Sequence, residues 1–301
     1  MDYDIAIQVF FQPTPANTPT PHPVAHARPA RRLRDACEPL AMHPVWARLT
    51  NERLAALGLN FLTSYVWGRA SALGEPPASL VAAAFAAFEP GLVTGVYEEG
   101  HSKLGRAELL AVRDEATTTS LQQILGHADL SFAVATLRRG LAAADGTGRA
   151  LFAGLQARPW PDAPAGQLWR ACEMVREHRG DSHIAAYITA GFNPVQMNIL
   201  TELFVGMPLG PYTSSRGWSP ATIAANVAHL QAAGFIDGET LTAAGLHVRE
   251  EIEEHTDTME QPLIDAIGSD LEQLLTQLNQ WSAACIAAGA FPPDEMKRAA
   301  G

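Results

Sequence analysis

From Arg31 onward, apolar residues recur at helical spacing between short breakers. Arg53 to Trp67 places Leu54, Leu57, Phe61, Leu62 and Tyr65 on one broad face and predicts a helix. Gly74-Glu75-Pro76-Pro77 interrupts it. Ser79 then precedes LVAAAFAAF, a small-residue helix that Glu89-Pro90-Gly91 is expected to stop. Further helices are expected near Leu104, over Leu121–Gly126 and from Leu130 to Ala143, so residues 31–158 read as a helical domain. Residues 4–11, DIAIQVFF, alternate weakly and predict a short strand. Six prolines between Pro13 and Pro29 make residues 1–30 a Pro-rich extended tail.

WPDAPAG, residues 160–166, reads as a rigid junction. Leu168, Cys172 and Val175 then share a face of a helix expected to end near Arg179-Gly180. Ser219-Pro220 is an N-cap followed by proline at the first helical position; Ile223, Val227 and Leu230 continue that helix, and Gly234 closes it. Phe235-Ile236, the Asp237-Gly238 turn and Thr240-Leu241 predict a tight hairpin. Thr242 caps the helix that follows. Helix, strand, turn, strand, helix is the order of a winged helix-turn-helix, placed at residues 159–261. Residues 262–301 carry Leu263, Ile267, Leu271, Leu274, Leu275, Leu278, Trp281 and Ile286 as an apolar stripe on one long helix, which either completes the domain core or forms a two-fold dimer seam, the seam being favoured. The expected fold is mainly α: a helical N-terminal domain, a winged helix-turn-helix with a two-stranded β wing, and a long C-terminal helix.

AAGFIDGETLTAAGLHVREEIEEHTD resembles the wing and following helix of MarR-type winged-helix proteins. LWRACEMVREHRGDSHIAA with SRGWSPATIAANVAHLQAAGFID is similar to a group of actinobacterial winged-helix proteins with a long helical N-terminal region and an HRGDxH stretch. The resemblance covers about residues 31–260. It implies a homodimer and, for MarR-type proteins, ligand-responsive regulation of transcription; the group itself has no shared activity.

Charge changes that picture. The 301 residues carry 32 acids and 21 bases, a net charge of −11. Groove-docking elements need Lys or Arg for the phosphates. Yet none occurs between Gly217 and Val248, and the reading helix offers only Thr222, Asn226, His229 and Gln231. From Asp237 to Glu272 there are eleven acids and one base, Arg249. Read as a solvated helix face, this run opposes DNA binding. Three cysteines argue against a disulfide framework and suit a reducing cytoplasm. The N-terminus lacks the basic start of a secretory signal, and no stretch reads as a membrane span.

The densest polar text is Glu177-His178-Arg179-Gly180-Asp181-Ser182-His183, expected at a helix break between the two halves. Two imidazoles, a carboxylate and a guanidinium suit proton transfer and anion binding. His183 and His178 are candidate proton carriers, Asp181 the orienting carboxylate (or the N-cap of a helix Ser182–Ala190), and Arg179 the anion clamp. Tyr65 and Arg69, four apart on a helix, and Trp67 are candidate pocket walls. A 2-His-1-carboxylate metal set of His178, Asp181 and His183 matches no zinc signature, so no metal or cofactor is expected. GxSxG, Walker, GxGxxG, HExxH and CxxC patterns are absent. The sequence thus supports a winged-helix protein reused to bind a small organic molecule, with cofactor-free acid–base chemistry if it is an enzyme. The alternative is a MarR-like regulator contacting DNA through Arg31–Arg34 and Arg216; a third is a non-catalytic scaffold.

Overall fold

Helical spacing in the sequence becomes helix almost throughout the chain. The computed structural model describes residues 1–13 and 28–300. The N-terminal region contains α1 (Tyr3–Phe10), α2 (Pro29–Ala41), α3 (His43–Trp46), α4 (Arg48–Ala56), α5 (Phe61–Ala70), α6 (Ala78–Phe85), α7 (Pro90–Lys103), α8 (Arg106–Leu125), α9 (Ser131–Ala142) and α10 (Ala150–Gln156). The long α11 (Pro164–Thr189) leads to α12 (Pro194–Phe204), α13 (Pro211–Ser214), α14 (Pro220–Ala232), the hairpin β1 (Ile236–Asp237) and β2 (Thr240–Leu241), and α15 (Ala243–Met259). Then come α16 (Gln261–Ile267), α17 (Leu271–Ala287) and α18 (Glu295–Ala300). The fold is mainly α, with a helical N-terminal part, a two-stranded wing and a long helix near the C-terminus, as expected.

Several local expectations fail for identifiable reasons. Residues 4–11 are helix α1, not a strand. Tyr3, Ile7 and Phe10 also satisfy helical spacing, and with Ala6 they pack on Trp46, Phe61 and Phe291. Of the expected Pro-rich tail, residues 14–27 lie outside the described residues. The single helix read over Arg53–Trp67 is two. Gly58 turns the chain at φ +89°. Asn60 then opens α5 with a capping box, accepting from the Thr63 amide at 3.1 Å while Thr63 Oγ1 accepts from the Asn60 amide at 2.8 Å. Glu89-Pro90 starts α7 rather than ending α6, because the Glu89 carboxylate accepts from the Leu92 amide and Pro90 takes the first helical position. Leu121–Gly126 is the end of α8, not a separate helix.

The largest departure is at Arg179-Gly180, where no break occurs. α11 runs for 26 residues and carries HRGDSH in its interior. It threads two apolar cores. Its first half, with Leu168, Trp169, Cys172 and Val175, belongs to a core shared with α2 and α5–α10. Its last turns, with Ala186 and Tyr187, belong to a second core with α12, α14, β1 and α15. The C-terminal stripe is split by Gly268 at φ +61° into α16 and α17. Leu263, Ile267, Leu274, Leu275, Leu278 and Trp281 are buried in the first core. Residues assigned to a dimer seam therefore cover α2, α8 and α9 of their own chain.

The wing follows its predicted turn chemistry. Ser219 Oγ accepts from the Thr222 amide at 3.1 Å, Gly234 ends α14 at φ +78°, and Ile236 pairs with Leu241 across the hairpin. Gly245, at the start of α15, sits against the wing: a Cβ there would lie 1.9 Å from the Phe235 carbonyl oxygen. Gly245→Ala should lower the free energy of unfolding by about 1–3 kcal/mol. Gly180→Ala should raise it by about 0.5–1 kcal/mol, because Gly180 is mid-helix and its added Cβ meets only Glu177 Oε2 at 3.9 Å. Denaturant midpoints of the two variants, moving in opposite directions, check both.

Candidate ligand site at the junction of the two cores

Where α11 passes between the cores, its charged side chains point in several directions and find partners on other helices. Toward α5 and α2, Glu177 accepts both guanidinium nitrogens of Arg69 at 2.8 Å and one from Arg176 at 2.9 Å, while Arg176 reaches Glu38 at 3.0 Å. Burial alone would raise the Glu177 carboxyl; Arg69 and Arg176 outweigh it and hold it near 2. Toward α15, Arg179 donates to Glu253 at 2.6 Å and to Asp257 at 3.1 Å. Glu253 also pairs with Arg249, four residues earlier, and with Arg31 of α2 at 3.5 Å. These three guanidiniums overcome burial and keep Glu253 far below the ordinary carboxylate range.

The acidic run is thus not simply a solvated face. Arg249, Ile252, Glu253, Thr256, Asp257 and Glu260 form the buried side of α15, at spacings of three and four, while Glu251 and Glu254 stay exposed. The sequence showed the charges but not which face α11 would cover.

The other two polar residues of the stretch serve the fold. Asp181 is no N-cap of its own helix; it caps a different one. Its Oδ2 accepts from the amides of Leu151 and Phe152, at 3.0 and 3.2 Å, in the first turn of α10. Burial and the Glu177 carboxylate raise it to about 6 against those two amides. His178 is 1% exposed, with Nδ1 2.7 Å from Glu260 Oε2 and Phe152 edge-on at 4.7 Å. Neither lines the cavity between the two cores.

His183 does. Its Nδ1 lies 3.1 Å from Thr256 Oγ1, whose own proton goes to the Ile252 carbonyl at 2.7 Å. Thr256 must therefore accept from Nδ1–H, which leaves Nε2 as a bare acceptor. Burial, then the nearby Arg249 guanidinium, lowers His183 to about 3, so it is neutral at physiological pH. A group so weakly basic is ill matched to proton transfer near neutrality. His178, Asp181 and His183 have separate partners. Among the described residues no three His, Cys, Asp or Glu side chains are grouped to hold an ion.

The cavity beside His183 has a volume of about 140 Å³. Seven arginines line it (Arg31, Arg34, Arg69, Arg176, Arg179, Arg216 and Arg249) with a single carboxylate, Glu253. Tyr65, Phe85, Phe88, Tyr187 and Tyr212 supply aromatic walls. Behind the arginines stand Asp35, Glu38, Glu177 and Asp257, so among the described residues five carboxylates stand against seven guanidiniums. Among its lining residues, the Tyr187 hydroxyl, on a residue 3% exposed, and Arg249 Nε are buried donors with no hydrogen-bond partner. Arg216 bonds Ser215 Oγ at 3.2 Å and lies over the rings of Tyr212 and Phe88, at 4.2 and 5.0 Å; no described carboxylate is within ion-pair reach of it.

Of the expected site residues, Tyr65, Arg69, Arg179 and His183 thus meet around one cavity. Arg179 is already clamped by Glu253 and Asp257. Trp67 is fully buried in the first core, where Nε1 donates to the Leu104 carbonyl at 2.8 Å. Sequence reading missed Arg31, Arg34, Arg176, Arg249 and Tyr187. The only available signal was the i, i+3 spacing of Arg31 and Arg34 and the isolation of Arg249 among acids.

The DNA-reading surface has no more cations in three dimensions than in one. The exposed face of α14 is Ala221, Ala224, Ala225, Ala228 and His229, and the wing tip exposes Asp237 and Glu239. Arg31 and Arg34, offered as phosphate contacts, are each 3% exposed, and Arg32 is bound at both nitrogens by Glu272 at 2.7 Å. The thiols of Cys172 and Cys285 are buried and raised, Cys285 to about 12, which makes them poor nucleophiles.

Because Asp181 has a folded pKa near 6, above its unfolded value, the wild-type protein loses stability as pH rises from about 4 through 6. Asp181→Asn keeps an acceptor for α10 and removes the buried charge. It should raise the melting temperature at pH 8, with the gain vanishing toward pH 4; equal shifts at both pH values would contradict this assignment. Arg179→Met takes from Asp257 its partner on α11 and from Glu253 one of three guanidiniums, and should cost about 3 kcal/mol in chemical denaturation.

No helix among the described residues is long and apolar enough to cross a membrane. Nothing among curated proteins or solved structures matches the chain. Residues 30–292 match the helix-turn-helix family. That span takes in both cores, α11 and the wing, and the chain therefore belongs to the helix-turn-helix family.

Proposed function

We propose that this helix-turn-helix protein binds a small organic anion in the arginine-lined cavity between its two cores. The observation that carries the reading is the cavity itself: seven guanidiniums, a surplus of positive charge, and two buried donors without partners. An anion among these guanidiniums gains charge-assisted hydrogen bonds, and one for which Tyr187 or Arg249 shifts to donate also offsets the cost of an unsatisfied buried donor, about 1–3 kcal/mol. His183 Nε2 adds an acceptor, which suits a ligand carrying a hydroxyl or amide beside its acid. Low basicity at His183 favours binding over acid–base turnover. Homodimerisation and a cytoplasmic setting remain part of the proposal on the resemblance and the cysteine usage alone.

Family membership favours a second reading, a ligand-responsive DNA-binding regulator. The alanine face of α14 and the burial of Arg31 and Arg34 weigh against it. Thermal shift with millimolar mono- and dicarboxylates and phosphate esters should show stabilisation by at least one class. Tyr187→Phe should leave the unliganded melting temperature equal or higher and weaken that ligand about five- to twentyfold. No shift with any anion, together with sub-micromolar DNA binding in fluorescence anisotropy at physiological salt, would replace this reading with the regulator.

A further inference from the structure

Beside the arginine cavity lies a second, larger space of about 390 Å³. Tyr65, Phe88, Arg176, Tyr212 and Arg216 line both. The larger chamber is otherwise lined mainly by apolar side chains, among them Phe10, Met42, Trp46, Phe61, Leu62 and Phe291, with Glu38 and Lys297 as further charged groups. The first space is cationic and the second mostly apolar, and Arg216 borders both, its guanidinium stacked on two rings and no described carboxylate paired with it. Every other cavity arginine named above except Arg216 pairs with a carboxylate. A purely polar anion would leave the apolar chamber hydrated. An apolar molecule would leave Arg216 and Tyr187 without an acceptor. Apolar chambers of this size bury most of a ligand's surface, with a few polar groups fixing its orientation.

We infer that the ligand is amphipathic: a carboxylate with an extended acyl or aryl body, its head held by Arg216 at the mouth of the arginine cavity and its body in the chamber beneath α1. This inference rests on the anion-binding reading above and adds the class of molecule. Three sequence features outside that reading find a use in it: the apolar α1 segment, Trp46, and Arg216.

Calorimetry on the full chain with butanoate, octanoate and uncharged 1-octanol tests it. Affinity should rise by about two- to fourfold for each added methylene between the two carboxylates. Octanoate should bind at least about tenfold more tightly than 1-octanol, and Arg216→Gln should abolish that preference. Val9, 54% exposed at the chamber rim, can take a charge without touching a core; Val9→Asp should flatten the chain-length dependence while sparing butanoate. Equal affinity for butanoate and octanoate would overturn the amphipathic class and leave the anion site standing. Failure of both carboxylates to bind would overturn the anion site as well. Equal affinity for octanoate and 1-octanol, or an unaltered chain-length slope in Val9→Asp, would overturn the placement of head or body.

Discussion

A helix that carries ten charged or titratable side chains cannot be buried unless nearly every one meets an opposite charge or a hydrogen-bond partner. α11 is such a helix, and much of the molecule is arranged to meet that demand. Arg69 and Glu38 answer Glu177 and Arg176 from the N-terminal helices; Glu253, Asp257 and Glu260 answer Arg179 and His178 from α15. Removing one partner of such a pair leaves a charge in a medium that solvates it poorly, so the pairs act as a register device for the two cores more than as a source of net stability. This also explains why Gly180 does not break the helix: the contacts on both sides outweigh its weak propensity.

The same network shapes the space between the cores. Guanidiniums brought in from α2, α5, α11 and α15 converge there with fewer described carboxylates than cations, which is the basis of the proposed anion site. Local pairing also alters how the acidic run acts at long range. Glu253 and Asp257 are paired within the molecule with Arg31, Arg179 and Arg249. The negative field beside α14 is weaker than a count along the chain suggests, and the case against DNA shifts to the missing cations on α14 and the wing. The helix-turn-helix here contributes a wall of the arginine-lined cavity: Tyr187, Met197 and Arg249 all belong to it or to its approach.

Much of the candidate site was legible as composition and little of it as geometry. His183, Arg179, Tyr65 and Arg69 were identifiable because polar residues within an apolar text need a reason. Their roles were not. The tautomer of His183 depends on a threonine 73 residues away, and the availability of Arg179 depends on Glu253 and Asp257. Asp181 was rightly seen as a helix cap, but for the wrong helix, since amides 29 and 30 residues earlier in the chain are invisible to any local rule.

The sequence alone determined the helical character, the capped α14, the hairpin with its Asp237-Gly238 turn, and the absence of cations from the reading helix. Each of these depends on residues within a few positions of one another, where propensity, capping and spacing act directly. Only the tertiary structure decided that HRGDSH lies within one continuous helix, that the C-terminal stripe fills its own chain's core, and that arginines from four helices enclose a cavity. Those outcomes turn on burial, and burial of a charge is settled by partners distant in sequence, whose meeting no local pattern encodes.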